Sequence, residues 1–545
     1  MKLIYDINDR PALKKTIVFA FQQMIAIMAA TLLVPILMSG FDQSGTLNFD
    51  PAAALCGAGV GTLVYLFFTK RRSPVFLGSS FTFLGAYAAV IGMNYGYLGV
   101  MIGIAFAGLV YVVIALIVKA TGSGWVNKLM PAVIIGPIVA LIGLSLSGTA
   151  TGWMQTNGNN PVTTNTLYIA EKAYINDENG LALKVSEGEG EEAVAVTSFD
   201  EEGNLVLSND YYTVKSESTN PYSLITIVVG VFTFLAIVFV SIKGTKGMKL
   251  IPFIIGIAAG YVLALILTLI GKSTDTASLQ ILSFEAFEKA FTPFKFTSIL
   301  DYPKFTFIKV IQEYGKNAAN VKLDGSAIAN IAITFVPIGI VELAQHIADH
   351  KNLSNIVNRD LITDPGLDKT LLGDGVGSIV GGIFGGAANT TYGESIGCVA
   401  ITGNASIVSI LGAAIGCIVL SFFTPFVAFI NSIPKCVMGG ACIAMYGFIA
   451  VSGLQMLKNV DLGNSKNLFV VAAILVCGIG GLTLEFGSNS ITGGSLLSIT
   501  ALATAFIVGV ITNLIVNNGK MSSGEDNMVS GHAENMGMVK DPEKK

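Results

Sequence analysis

The sequence predicts an all-α polytopic membrane protein, and three observations carry that reading. Charged residues make up 12% of the chain, about half of the roughly 25% usual in a soluble domain. Charge-free runs recur at Thr16–Phe41, Pro51–Thr69, Ser218–Ile242, Leu250–Gly271 and Phe486–Gly519, where a spanning helix needs about 20 apolar residues. Basic residues collect on alternate connections, as they do on the cytoplasmic side of membrane proteins.

Taken in order, residues 1–16 carry Lys2, Arg10, Lys14 and Lys15 ahead of an apolar stretch without a convincing cleavage site. They read as a cytoplasmic N-terminus before a retained first helix. Apolar runs place about 14 segments near 17–39, 52–69, 75–93, 98–118, 130–148, 222–242, 250–271, 326–347, 371–388, 389–403, 405–423, 436–455, 467–484 and 495–516. Alternation then puts Lys70, Arg71, Arg72, Lys119, Lys128, Lys243, Lys246, Lys249, Lys351, Arg359, Lys458 and Lys466 inside. The 39–51 loop, with no basic residue, falls outside. The outside loop 272–325 departs from the pattern with its seven lysines, and long loops report topology poorly. Residues 149–221 form an acidic extracellular insert with EGEGEE at 187–192. There the alternating runs EAVAV and NLVLS flank the turn signal DEEG, which predicts short hairpins. The tail 517–545 is polar and expected to be disordered and cytoplasmic. A multi-pass protein of the plasma membrane with both termini inside is expected.

The six cysteines (56, 398, 417, 436, 442 and 477) lie in or at the ends of predicted spans. They read as packing groups, not a disulfide framework. With three histidines and no Cys/His cluster, no metal site is expected. No nucleophile–base pair or phosphate loop is found, so neither an enzyme, a cofactor nor a nucleic-acid partner is predicted.

Weak internal symmetry runs along the chain. Pro131 opens PAVIIGPIVALIGLSLSG and Pro434 opens PKCVMGGACIAMYGFIAVSG, each with Gly five positions on. LGSSFTF at 77–83, in segment 3, and TTYGESI at 390–396, in segment 10, both interrupt apolar runs with polar residues. Each pair lies seven segments apart, and an odd offset inserts a duplicated half upside down, as in transporters built from inverted repeats. Backbone groups cannot go unpaired in lipid. Residues 75–81 and 389–393 are therefore expected to be extended stretches, each leading into a half-helix whose N-terminus faces a buried site. Those termini present free N–H groups to carbonyl oxygens or anions.

Glu394 starts the second half-helix, and a carboxylate at that depth costs about 2.5–3.5 kcal/mol or more, which marks a functional site. In segment 8, Glu342, Gln345, His346 and Asp349 follow i, i+3, i+4, i+7 and share one helix face. Asp349 and His350 fall near the cytoplasmic end, where solvated charge is ordinary; Glu342 and Gln345 are deeper. Gln22 and Gln23 form a buried polar pair suited to a helix–helix bond or a ligand contact. Phe81 either stacks on a planar ring or packs.

SSF at 79–81, IVNRDLITDPGL at 356–367, NTTYGESIG at 389–397 and QQMIAIMAATLLVP at 22–35 resemble the uracil permeases of the nucleobase–ascorbate transporter family. The resemblance covers nearly the whole membrane part and omits the insert, part of 272–325 and the tail. It implies a 7+7 inverted repeat. Core segments 1–4 (17–118) and 8–11 (326–423) would face gate segments 5–7 (130–271, interrupted by the insert) and 12–14 (436–516). It further implies a nucleobase bound between core and gate, proton symport by an elevator-like alternating access, and a homodimer. Phe81, Ser80, Gln345, Tyr392, Gly393, Glu394 and Ser395 would bind the base. Glu394, Glu342 and Asp349 would carry the proton, and Gln23, Ala30 and His346 would support the site. Two positions depart from the family pattern: Gln345 stands for an acid in AQH, and Ser395 for Asn. Gln offers permanently the donor and acceptor that a protonated Glu offers, so Gln345 is expected to hold a base edge without carrying a proton. TYGE favours uracil, while Asp349 keeps a xanthine or other purine open. A channel or uncoupled facilitator is the reading of another class, distinguished by the absence of substrate accumulation.

Overall fold

The computed structural model describes residues 3–42, 47–122, 125, 131–156, 223–245, 247–317, 323, 325–458, 460–488 and 495–519, and six strands within 162–219. The chain is predominantly helical. It begins with α1 (Leu13–Phe41) and α2 (Pro51–Phe68), then strand β1 (Leu77–Ser79), the short α3 (Leu84–Gly92) and α4 (Gly96–Thr121). Next come α5 (Ala132–Ser145) and α6 (Ser147–Gln155), which carries helix past 149 into the expected insert. Strands β2 (Val162–Tyr168) to β7 (Thr213–Thr219) follow; among them β5 (Val194–Phe199) and β6 (Leu205–Leu207), from the EAVAV and NLVLS runs, pair antiparallel as expected. Helices α7 (Leu224–Lys243) and α8 (Pro252–Ser273) return through the bundle. The 272–325 connection holds two helices, α9 (Glu285–Phe291) and α10 (Thr306–Asn317).

The second half runs through α11 (Gly325–Val357), α12 (Leu367–Gly385), β8 (Asn389–Thr391), α13 (Gly393–Thr402), α14 (Ile407–Ser421) and α15 (Thr424–Asn431). It ends with α16 (Lys435–Leu457), α17 (Ser465–Ile479), a hairpin of β9 (Leu484–Ser488) and β10 (Ser495–Ile499), and α18 (Ala501–Val516). The hairpin departs from the single helix expected from 495. A short apolar run such as SLLSI carries no period that separates strand from helix. Among the described residues, eight helices are long and apolar enough to cross a membrane, with α5 and α6 counted as one (Ala132–Gln155), and three shorter apolar helices accompany them.

The helices fall into two groups that share one continuous hydrophobic cluster at their junction. In the first, α12 lies against α2 and α4, α14 against α1 and α2, and α11 against α4. The second is built on α16, which packs on α5, α6 and α7, with α17 joining α5 to α18. Glycine sets the spacing inside the first group. A Cβ on Gly57 would stand 2.3 Å from the carbonyl oxygen of Gly381, so α2 and α12 touch backbone to backbone.

Strands β1 and β8 pair antiparallel with Gly78 opposite Thr390. Each is buried on every residue, so its outer edge needs partners other than water. Side chains supply them. Leu77 N donates to Thr62 Oγ1 (3.0 Å), Phe76 N to Ser395 Oγ (3.1 Å) and Ala388 N to the Tyr87 hydroxyl (2.6 Å). Gly78 lacks a side chain because the Tyr392 ring lies on it; a Cβ would stand 2.4 Å from Cε2. The Tyr392 hydroxyl then donates to the Ser79 carbonyl (2.6 Å), which locks the two strands across 313 residues of sequence.

Candidate functional site

Following each strand, the chain turns into a half-helix. The extended dihedrals of Tyr392 (φ −107°, ψ 122°) end β8 and start α13 at Gly393. The first N–H groups of α13 therefore have no intrahelical acceptor and face a cavity at the junction of the two helix groups. The cavity measures about 310 Å³, at the lower end of the roughly 300–1,000 Å³ typical of small-molecule pockets. One wall is Ser80, Phe81 and Thr82 after β1, and another is Thr390, Tyr392, Gly393 and Glu394 after β8. Gln345 and Asp349 enter from α11, one turn apart, and the second group closes the space with Met445, Phe448 and Ser452 of α16.

Of the residues expected to bind a base, Ser80, Phe81, Gln345, Tyr392, Gly393 and Glu394 thus share one cavity. Phe81 lines the cavity and meets Tyr446 edge to face at 5.7 Å between centroids. Asp349, half-buried, lines the same cavity. Thr391 Oγ1 donates to its Oδ2 at 2.9 Å, which fixes the carboxylate between α11 and β8. The arrangement offers a planar polar ligand a carboxamide, two carboxyl groups, helix N–H groups and an aromatic face.

The remaining expected residues sit behind the wall. Ser395 is fully buried and does not reach the cavity; its Oγ accepts from Phe76 N and from Gln23 Nε2. On a half-helix, the residue after Glu394 turns about 100° away from it. Ser395 therefore holds the strand. Gln23 and Ala30 are likewise buried in α1. Glu342 is 1% exposed, and Ser80 Oγ donates to its Oε1 at 3.1 Å. Its Oε2 has no hydrogen-bond partner among the described residues. It supports the wall carrying Ser80 from behind.

His346 faces away from the cavity. Its Nδ1 lies 2.6 Å from Asp374 Oδ2 and its Nε2 lies 3.1 Å from Thr370 Oγ1. The ring stacks on His350 at 4.1 Å between centroids, and the Tyr111 ring meets it edge-on. His350 is fully buried, contrary to the expectation of a solvated helix end. Its Nδ1 lies 2.8 Å from the His346 carbonyl, an acceptor, so Nδ1 carries the proton and Nε2 faces the Tyr65 hydroxyl at 2.7 Å. Sequence reasoning missed Asp374, Tyr65 and Thr391. Asp374 had a signal, since it is a lone acid inside an apolar segment. Tyr65 and Thr391 had none. Among the described residues no group of three His, Cys, Asp or Glu side chains is placed to hold a metal ion.

Comparison with known proteins agrees with this architecture. The chain is 34% identical over 517 residues to a uracil permease of Bacillus caldolyticus, covering 94% of this chain and 95% of that one. It is 31% identical to a uracil permease of Bacillus subtilis, over 95% and 96% of the two chains. A uracil permease of Escherichia coli is 28% identical over 93% and 94%. Among solved structures, the transmembrane domain of the cyanobacterial bicarbonate transporter BicA superposes with a TM-score of 0.50 at 12% identity, over 92% of this chain and 98% of that one. SLC26A9 superposes with a TM-score of 0.53 at 10% identity, over 93% and 66%. These two share the fold alone. The model of the Permease family (Xan_ur_permease) matches residues 14–174 and 209–486, and the chain belongs to that family, as a multi-pass membrane transporter and not an enzyme.

Proposed function

We propose that the protein imports a nucleobase, uracil first, by proton symport. The observation that carries this reading is the convergence of Gln345, Glu394 and the α13 N-terminus on one cavity beside Phe81, in a chain about a third identical to uracil permeases. Uracil presents two ring N–H donors and two carbonyl acceptors on a flat ring. Gln345 offers one donor–acceptor pair and Glu394 accepts, or donates once protonated. Glu394 is the coupling residue, with Asp349 beside it in the same cavity. Gln345 holds the base but carries no proton.

The helix directions support a 7+7 inverted repeat of about 14 segments. β1 is entered from the end of the bundle holding the N-terminus and β8 from the opposite end, so α3 and α13 leave the middle in opposite directions. The group containing α1–α4 and α11–α14 is the moving core, and the group built on α16 is the gate. Elevator-like displacement of core against gate exposes the cavity to either side. Both termini lie in the cytoplasm, where Lys70, Arg71 and Arg72 also lie, and the protein works as a homodimer.

Uptake of radiolabelled uracil into proteoliposomes, with and without an inward proton gradient and competed by xanthine, hypoxanthine and adenine, tests the reading. Gradient-driven accumulation is expected, and Glu394→Gln abolishes it. Equilibration without accumulation indicates a facilitator or channel, and competition only by a purine reassigns the substrate.

A further inference from the structure

We propose a second, weaker binding site at the insert end of the bundle, for a neutral planar heterocycle with an adjacent N–H and C=O. It rests on the nucleobase reading and adds a position where the substrate waits before reaching the central cavity. A cavity of about 360 Å³ lies there, slightly larger than the central one. Its walls are the end of α1, the Asn48–Pro51 turn, Trp153 of α6 and the first turn of α16. On α16 this cavity ends at Met438 and the central one begins at Met445, a separation of about 10 Å along the helix. The two cavities lie in line along the junction of the two helix groups.

The chemistry of the walls is selective. The hydroxyls are already engaged: Ser39 Oγ donates to the Pro35 carbonyl (2.8 Å), and Ser432 Oγ donates to the Phe429 carbonyl (2.7 Å). The carboxamides of Asn48 and Asn431 are exposed and have no protein hydrogen-bond partner among the described residues, so they are open to a ligand that displaces water. Asn48 is also preorganised. Its N–H donates to the Tyr97 hydroxyl (2.7 Å) and its carbonyl accepts from Lys309 Nζ, so the backbone is held while the side chain stays free. Two carboxamides supply two donors and two acceptors for a ligand edge, and the half-buried Trp153 supplies an aromatic face. Among the described residues no carboxylate lines the cavity, and Lys435 is the one ionised side chain. A neutral ring fits these walls. An adjoining cavity that shares Asn48 and Asn431 carries Asp50, Lys289 and Lys304 and connects the site to a charged rim.

Trp125 and Trp153 are the only tryptophans, so Trp125→Phe makes Trp153 an optical reporter. Its emission is followed in full-length protein in nanodiscs during titration with uracil. The expected result is saturable quenching with a midpoint about tenfold or more above that of central binding. The midpoint is expected to persist when Gln345→Ala and Glu394→Ala remove radioligand binding at the centre, and to rise several-fold in Asn48→Ala. Absent or non-saturating quenching, or quenching lost with central binding, overturns the proposal. Should the central variants fail to fold, the unsubstituted chain decides by equilibrium stoichiometry: two uracils per chain support the second site and one overturns it. Failure of the nucleobase reading is seen separately, as no radioligand binding by uracil, xanthine, hypoxanthine or adenine in the unsubstituted chain.

Discussion

Thr391 Oγ1 donates to Asp349 Oδ2 at 2.9 Å, and this bond joins the last residue of β8 to the inner face of α11. It fixes a carboxylate on the cavity wall one turn from Gln345. Thr391→Val keeps the shape and removes the donor, leaving one oxygen of a half-buried carboxylate without its protein partner. Such losses cost about 1–3 kcal/mol. Affinity for uracil is expected to fall about tenfold or more, while Thr391→Ser retains it. Equilibrium binding to purified protein checks both, and an unchanged Thr391→Val would take Asp349 out of the wall's function.

A second bond acts from behind the cavity. Ser395 holds Phe76 N and Gln23 Nε2, and Phe76 leads directly into β1 and Ser80–Phe81. Ser395→Ala orphans a buried backbone N–H and a buried amide at once, each worth about 1–3 kcal/mol. The expected outcome is lower thermal stability together with weaker substrate binding. Ser395→Thr restores both if the hydroxyl is what matters. A Ser395→Ala protein that is fully stable but defective only in binding would instead place Ser395 on the ligand, as the resemblance implied.

These cases show what the sequence could and could not convey. The interruptions at 75–81 and 389–393 were legible because unpaired backbone at membrane depth demands a reason. Their pairing with each other was not, since no periodicity links residues more than 300 positions apart. Glu394 and Gln345 stood out as polar groups in apolar runs, but the direction of Ser395 depends on where α13 starts. The burial of His350 does not follow from its distance to the end of an apolar run. Helix α11 has 33 residues, about 50 Å of rise, and His350 lies seven residues before its last residue, Val357, covered by Tyr65 of α2. Depth in a bundle follows the neighbours, not the hydropathy window.

The close approach of α2 and α12 makes a third prediction. A Cβ at Gly57 meets Gly381 O at 2.3 Å and Gly385 N at 3.1 Å, all backbone, and Gly57 O also accepts from Asn389 Nδ2 at 3.0 Å. Gly57→Ala must push the helices apart and pull on β8. Overpacking of this kind costs about 1–3 kcal/mol, so a lower melting temperature and weaker substrate binding are expected. Gly85→Ala in α3 is the control. Nothing lies within 4 Å of its added Cβ, and replacing a helical glycine gains about 0.5–1 kcal/mol. Similar melting shifts in the two variants would refute the close-packing argument.

The fourth prediction concerns pH at the insert end. Lys309 of α10 donates through Nζ to the Asn48 carbonyl and lies over the Tyr97 ring, 5.3 Å from its centroid. Burial there lowers its pKa from 10.5 to about 8, against the partial compensation of Asp50 and with Lys304 acting in the same direction as burial. Between about 8 and 10.5 the unfolded chain therefore binds more protons at this position than the folded one. Stability contributed by Lys309 must rise with pH across that window and level off above it. Below 8 both states are protonated and the dependence vanishes. Lys309→Met removes the titration, so the difference in melting temperature between wild type and variant is expected to shift in favour of wild type from pH 8 to 10. A difference that stays flat over this range would mean that Lys309 remains hydrated in the folded protein.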